Sequence, residues 1–229
     1  MFKTKVNFDS RPIIVSFIFL SIAAGAYGAY RYQRDLNLDF PALKNLNVPF
    51  TSQAPQANWE EPWQNACEET SIIMADNFYK DRGITPKQAR EQILTIFSVK
   101  EKNFGESKDE SMERIAEIIN AANLNWTATV SVNPLLNDIK KEIAQNHPVI
   151  VPIDAKLLKE APYDDSFDYH VFIISGYDEE KQEFIVQDPG TKNGKNDRYG
   201  YENLYNAIND YLPGAFPSGR KAVLFTSPK

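Results

Sequence analysis

The chain contains a single cysteine, Cys67. One thiol makes neither an intrachain disulfide nor a cysteine-rich zinc site, so Cys67 is either a small buried hydrophobe or a reactive group. Its position favours reactivity. Cys67 follows the irregular stretch TSQAPQANWEEPWQ and opens a segment in which Thr70, Met74 and Phe78 recur at helical spacing. In the first turn of a helix, free backbone N–H groups and the positive dipole end lower a thiol's pKa, and an adjacent imidazolium lowers it further. The same N–H groups can hold a developing oxyanion. Glu68 and Glu69 suit a helix start, but their charges disfavour a nearby thiolate unless they point away.

A thiol nucleophile needs a base, and His170 with Asp188 supplies one. Tyr169 to Tyr177 and Glu183 to Gln187 read as two strands around the polar turn DEEK. Positions 170 and 188 are equidistant from Glu179 in that turn. An odd-numbered loop centred there sets His170 and Asp188 directly opposite on adjacent strands, close enough for an imidazole N–H to bond a carboxylate. An even-numbered loop puts the two on opposite faces. Asp188 also precedes Pro189 and Gly190, so it suits a turn as well as a triad. A carboxylate that orients an imidazole, which takes a proton from a thiol, is a nucleophilic triad.

The elements that must position these residues can be read along the chain. Asn65 is the expected N-cap of the Cys67 helix, with Glu68 completing a capping box. A second helix follows Thr85-Pro86 with Ala89, Ile93 and Phe97 inward. A third runs through Met112, Ile115, Ile119 and Ala122, and a fourth opens at Asn133-Pro134 with Leu136, Ile139 and Ile143. After Pro148, Val149 to Ile153 is a buried strand, with Pro152 expected at a bulge or edge. Leu204, Ile208 and Tyr211 mark a late helix, and Ala222 to Phe225 a final strand. Helices first and strands later is an α+β pattern, with helices on one side of an antiparallel sheet.

Composition narrows the function classes. With 229 residues there is room for one ordinary domain and a tail, and a formal net charge of −6 with no basic cluster argues against nucleic acid as a partner. No cluster suits a metal, and no cofactor is expected. His147 reads as a surface-loop histidine, the carboxylates from Glu106 to Glu110 as a solvated loop, and Trp59 and Trp63 as either cleft-lining or core-packing.

The N-terminus divides into residues 1–12, an uncharged run at 13–30, and a linker at 31–44 before a domain at 45–229. The run IIVSFIFLSIAAGAYGAY reaches roughly 27 Å as a helix, enough to span the hydrocarbon core. Lys3, Lys5 and Arg11 before it favour a cytoplasmic N-terminus, blunted by Arg31 and Arg34. A membrane signal anchor is the expectation, with a signal peptide cleaved near Ala24 and Ala26 as the alternative; either exports the rest of the chain.

Four segments carry a family resemblance: VPFTSQ at Val48 to Gln53, NACEETSIIMA at Asn65 to Ala75, DYHVFIISGYD at Asp168 to Asp178, and FIVQDPG at Phe184 to Gly190. Together, over about residues 45–228, the chain resembles papain-like cysteine peptidases. More narrowly, it resembles the bacterial group related to the double-glycine leader peptidases of bacteriocin exporters. The resemblance implies a papain-like fold, with the cysteine on a central helix packed against a sheet that carries histidine and acid. It implies Cys67 as nucleophile, His170 as general base and acid, Asp188 as orienter, and a glutamine before the cysteine as oxyanion donor, with Gln53 preferred to Gln64. Glu68 departs from the family, where glycine often follows the cysteine. The expected function is therefore an exported, membrane-tethered hydrolase of a peptide or other amide. The alternatives are an inactive peptide- or wall-binding module and an acyl transferase of the transglutaminase type.

Overall fold

A computed structural model describes residues 40–161, 163 and 168–229. The N-terminal segments at 1–12 and 13–30 lie outside the described residues, as does the linker up to residue 39. Among the described residues, no helix is long and apolar enough to cross a membrane.

The elements run β1 (Leu43–Asn45), α1 (Cys67–Tyr79), α2 (Pro86–Phe104), α3 (Met112–Ala121), β2 (Trp126–Val132), α4 (Leu136–Ala144) and β3 (Val149–Asp154). Then come β4 (Tyr169–Asp178), β5 (Glu183–Gln187), β6 (Lys195–Gly200), α5 (Tyr201–Ala207) and β7 (Ala222–Pro228). The strands form one antiparallel sheet in the order β2-β7-β3-β4-β5-β6, with β1 pairing the turn end of β4. This is the expected α+β architecture. The expected order of helices and then strands is broken by β1 and β2, and the short polar β6 carries no apolar signal. The late helix ends at Ala207, one residue before Ile208 bridges to Ile153 in β3.

Helix α1 is central: every residue from Cys67 to Asn77 is buried, the apolar and small ones together with Glu68, Glu69, Asp76 and Asn77. It packs on β4 and against α2. Fully buried Ile72 and Met74 meet a core that includes Ile150, Phe172 and Phe184. Each such side chain removed from water contributes about 1.5–3 kcal/mol. Asn65 does not cap this helix. The N-cap is Ala66, without a side-chain bond, and Asn65 closes a short 3-10 turn (Trp63–Asn65) with its amide turned to Glu61 Oε1 at 2.8 Å. By contrast, Thr85 and Gln88 form the full capping box that starts α2. Pro152 sits where β7 no longer flanks β3, since β3 pairs β7 only at Val149 and Ile150. Its missing N–H therefore costs no ladder bond.

The β4–β5 hairpin departs from the count that predicted it. Asp178 pairs with Glu183 across the turn, so the loop is even-numbered, and that register alone would send His170 and Asp188 to opposite faces. A β-bulge between Ile174 and Gly176 shifts the pairing by one, and Ile174 then pairs Val186 and Ile173 pairs Gln187. The bulge returns both residues to one face, diagonal to each other instead of directly opposite.

Candidate active site

His170 is wholly buried on β4, and Asp188, one residue past β5, is equally sealed. The ring Nε2 lies 2.8 Å from Asp188 Oδ1. A carboxylate only accepts, so the proton sits on Nε2 and Nδ1 becomes the basic nitrogen. Asp188 is further held by the Gly190 N–H, which donates to Oδ1 at 2.9 Å, and by the Tyr163 hydroxyl, which donates to Oδ2 at 2.5 Å. Asp188 thus bonds the His170 ring and the turn at Gly190 at once. Burial and the Asp188 charge push the Tyr163 phenol well above its usual range, which keeps it a donor. The Tyr163 ring also lies edge-on to His170, with centroids 5.1 Å apart.

Cys67 starts α1. One turn on, Ser71 Oγ donates to the carbonyl of Val171 at 3.3 Å, which ties this end of the helix to the residue next to His170. The sulfur lies close enough to Tyr163 and Tyr169 that a thiolate would raise both phenol pKa values. Contrary to expectation, the thiol pKa is raised, not lowered. Burial is the largest cause, and the Glu68 carboxylate is next. Glu68 does not point away. It is buried, and Cys67 Sγ–H donates to its Oε2 at 2.9 Å.

Behind the thiol lies a sealed charged cluster. Glu69 pairs with Lys100 of α2 at 2.7 Å, both 1% exposed. Glu68 Oε1 accepts the Glu110 N–H at 3.1 Å, and Tyr169 donates to the Glu110 carbonyl at 2.8 Å. The expected solvated loop before α3 is therefore buried at Glu110, where it meets the site.

Gln53 is fully buried. Its backbone N–H donates to the Pro189 carbonyl at 2.9 Å, and its side-chain amide donates to the carbonyls of Trp63 at 3.0 Å and Gln64 at 2.9 Å. It thus braces the segment after Asp188 against the segment before Cys67. The Gln64 side chain turns instead to Glu61 Oε1, at 2.7 Å. Trp63 is buried and Trp59 is exposed, while His147 pairs with Glu142 away from the site. A cleft of about 480 Å³ reaches Cys67 between Asn65, Lys108, Asp109, Asp168 and Tyr169. Tyr163 and the inward course of Glu68 carried no sequence signal, because both depend on loops closing over the site.

The site leaves a mark on stability. Burial pushes Glu68 from 4.5 up to about 8 and Asp210 from 3.8 up to about 6. The folded chain therefore binds protons that the unfolded chain has released. This contribution is fully present below the unfolded pKa values and is lost as pH rises through about 6 and then 8. Urea unfolding at about pH 5 is expected to need more denaturant than at about pH 8.5, by at least ~1 kcal/mol in stability. Equal midpoints would refute the protonated cluster.

With this geometry in view, comparison with known proteins is informative. The family described as the Peptidase_C39 like family matches residues 45–213. A solved structure from Bacillus anthracis, assigned as a C39-like peptidase, superposes with a TM-score of 0.54 at 16% identity, covering 82% of this chain and 99% of that one. Xylellain, a cysteine protease from Xylella fastidiosa, is 13% identical over 83% of this chain and 87% of its own, but its TM-score of 0.37 is too low to bear on the fold. No curated protein sequence matches.

Proposed function

The chain belongs to the C39-like peptidase family and is a cysteine peptidase; from that premise we propose that Cys67, His170 and Asp188 form its catalytic triad and that it cleaves a peptide or other amide through a thioester. The observation that carries this reading is the sealed 2.8 Å bond from His170 to Asp188, together with a helix-start cysteine that lines a cleft. In this cycle the Cys67 sulfur bonds to the scissile carbonyl carbon while its proton passes to His170 Nδ1. The C–N bond then breaks as His170 returns that proton to the leaving amine. A water, deprotonated by His170, displaces the sulfur and releases the acid. Asp188 fixes the tautomer and balances the imidazolium. The Cys67 backbone N–H faces the oxyanion, and Gln53 supplies a second donor when one of its N–H groups exchanges a loop carbonyl for the substrate oxygen.

The uncharged run at 13–30, behind Lys3, Lys5 and Arg11, supports a further part of the proposal: a membrane tether that holds this domain outside the cytoplasm. An impermeant epoxide or iodoacetamide probe, added to intact cells expressing the full chain, is expected to label Cys67. The Cys67→Ala protein should take up none. A Cys67 that labels only after lysis would overturn the location, and one that labels no faster than an ordinary thiol would overturn the triad. The raised thiol pKa favours a second reading, a peptide-binding module without turnover. Its signature is binding that survives Cys67→Ala, with no acyl-enzyme in the mass spectrum of the wild type.

A further inference from the structure

Nothing in the triad accounts for the carboxyl that holds the nucleophile. Cys67 Sγ–H donates to Glu68 Oε2 at 2.9 Å, and Glu68 is 1% exposed. The other Glu68 oxygen is taken by the Glu110 N–H. Lys100, the cation nearest to hand, is engaged by Glu69 at 2.7 Å and by the Ser107 carbonyl at 3.2 Å. Among the described residues, Glu68 thus sits in the interior without a cation of its own, in contact with the atom that must ionise.

We propose that Glu68 is a proton gate on Cys67: ionised, it accepts the S–H bond and keeps the sulfur a thiol; protonated, it donates to the sulfur and lets the thiol proton pass to His170. The proposal rests on Cys67 being the nucleophile. In the closed state the proton stays on sulfur, and a neighbouring negative charge opposes thiolate formation. In the open state the carboxylic O–H stabilises the thiolate while the S–H proton moves to Nδ1 of His170, so the site gains no net charge. The titratable groups facing Glu68 pull both ways. Glu69 on its own helix and Asp109 from the loop before α3 favour its neutral form, as burial does; the Cys67 S–H and Lys100 of α2 favour the ionised form; Glu110 from that loop and Tyr169 from β4 complete the surroundings. Burial and the Glu69 charge push Glu68 up to about 8, so the gate closes as the medium turns alkaline. Sulfur and carboxyl titrate as a pair, and the midpoints belong to both.

Glu68→Gln tests this, because a glutamine amide reproduces the protonated acid: its oxygen accepts from Glu110 and its NH2 donates to sulfur. Iodoacetamide alkylation of Cys67 is measured across pH in both proteins. At about pH 6.5 the two rates should agree within about threefold; at about pH 9, where wild-type Glu68 is ionised, the variant should react about tenfold faster. A ratio that does not change with pH overturns the gate and leaves the nucleophile standing. A Cys67 that resists labelling in both folded proteins at every pH, yet labels once unfolded, overturns the nucleophile and the gate with it. If the variant does not fold, the wild type decides. Carboxyl-carbon NMR of labelled glutamates should show one group titrating near pH 8, with its midpoint moving up in Cys67→Ala as the S–H donor is lost. The absence of any glutamate titrating above about pH 6.5 overturns the proposal.

Discussion

Replacing Asp188 with alanine is expected to lower kcat/KM about a thousandfold, and replacing it with asparagine about a hundredfold. The gradation follows from what the carboxylate holds. Alanine removes the acceptor of the His170 Nε2–H and of the Gly190 N–H, and leaves the Tyr163 hydroxyl facing a void. The buried imidazole then loses both its tautomer and its aim. Asparagine can keep its carbonyl at the Oδ1 position and turn its NH2 toward Tyr163, whose hydroxyl can accept as well as donate. What it cannot keep is the negative charge that balances the imidazolium in a sealed site. Steady-state cleavage of a peptide substrate, with circular dichroism as a check on folding, measures both variants. Two variants within a fewfold of wild type would reduce Asp188 to a turn-former.

The second large effect is expected at Gly190. A Cβ there would lie 2.8 Å from His170 Nε2 and 2.9 Å from Cε1, with the Tyr163 ring at 3.1 Å. A flexible side-chain tip could yield to such a contact, but this ring is buried on a central strand and pinned by Asp188. Gly190→Ala therefore displaces the imidazole, breaks its bond to Asp188, or moves the turn that the Gly190 N–H anchors. A shift of about 1 Å at a proton-transferring nitrogen costs about a hundredfold in rate. The loss should fall on kcat more than on KM, because the cleft proposed to take the peptide lies on the Cys67 side. Unchanged kcat would mean that the ring has room the structure does not show.

How much of this was legible in the sequence varies by residue. The triad candidates stood out because the chain has a single thiol and because a hairpin can be counted. The count leaves both faces open: the loop is even, which alone gives opposite faces, and the bulge at Ser175 that restores a shared face is invisible to a periodicity argument. Gly176 beside it admits β1 so closely that a Cβ would meet Lys44 O at 2.5 Å, a constraint imposed from 132 residues away in the chain. The thiol's pKa was misjudged in sign. The helix-start argument used the dipole, which is local, whereas the outcome depends on burial and on where Glu68 turns. The Glu68 carboxylate is held there by the Glu110 N–H, which arrives from the loop after α2. Strand β2 was missed because its pattern of threonine, serine and valine is only half-buried at the sheet edge, and β6 because an edge strand needs no apolar face.

The ties that assemble the site span long stretches of chain: Ser71 bonds to Val171, 100 residues on, and Ser52 to Pro189, 137 residues on. Helix α1 and the β4–β5 hairpin can each form from neighbouring residues, but their docking closes loops of that size and comes late. A ribosome-bound chain thus carries its sulfur well before it owns the ring proposed to activate it. On the proposed triad, the chemistry waits until the final third of the chain has joined the rest.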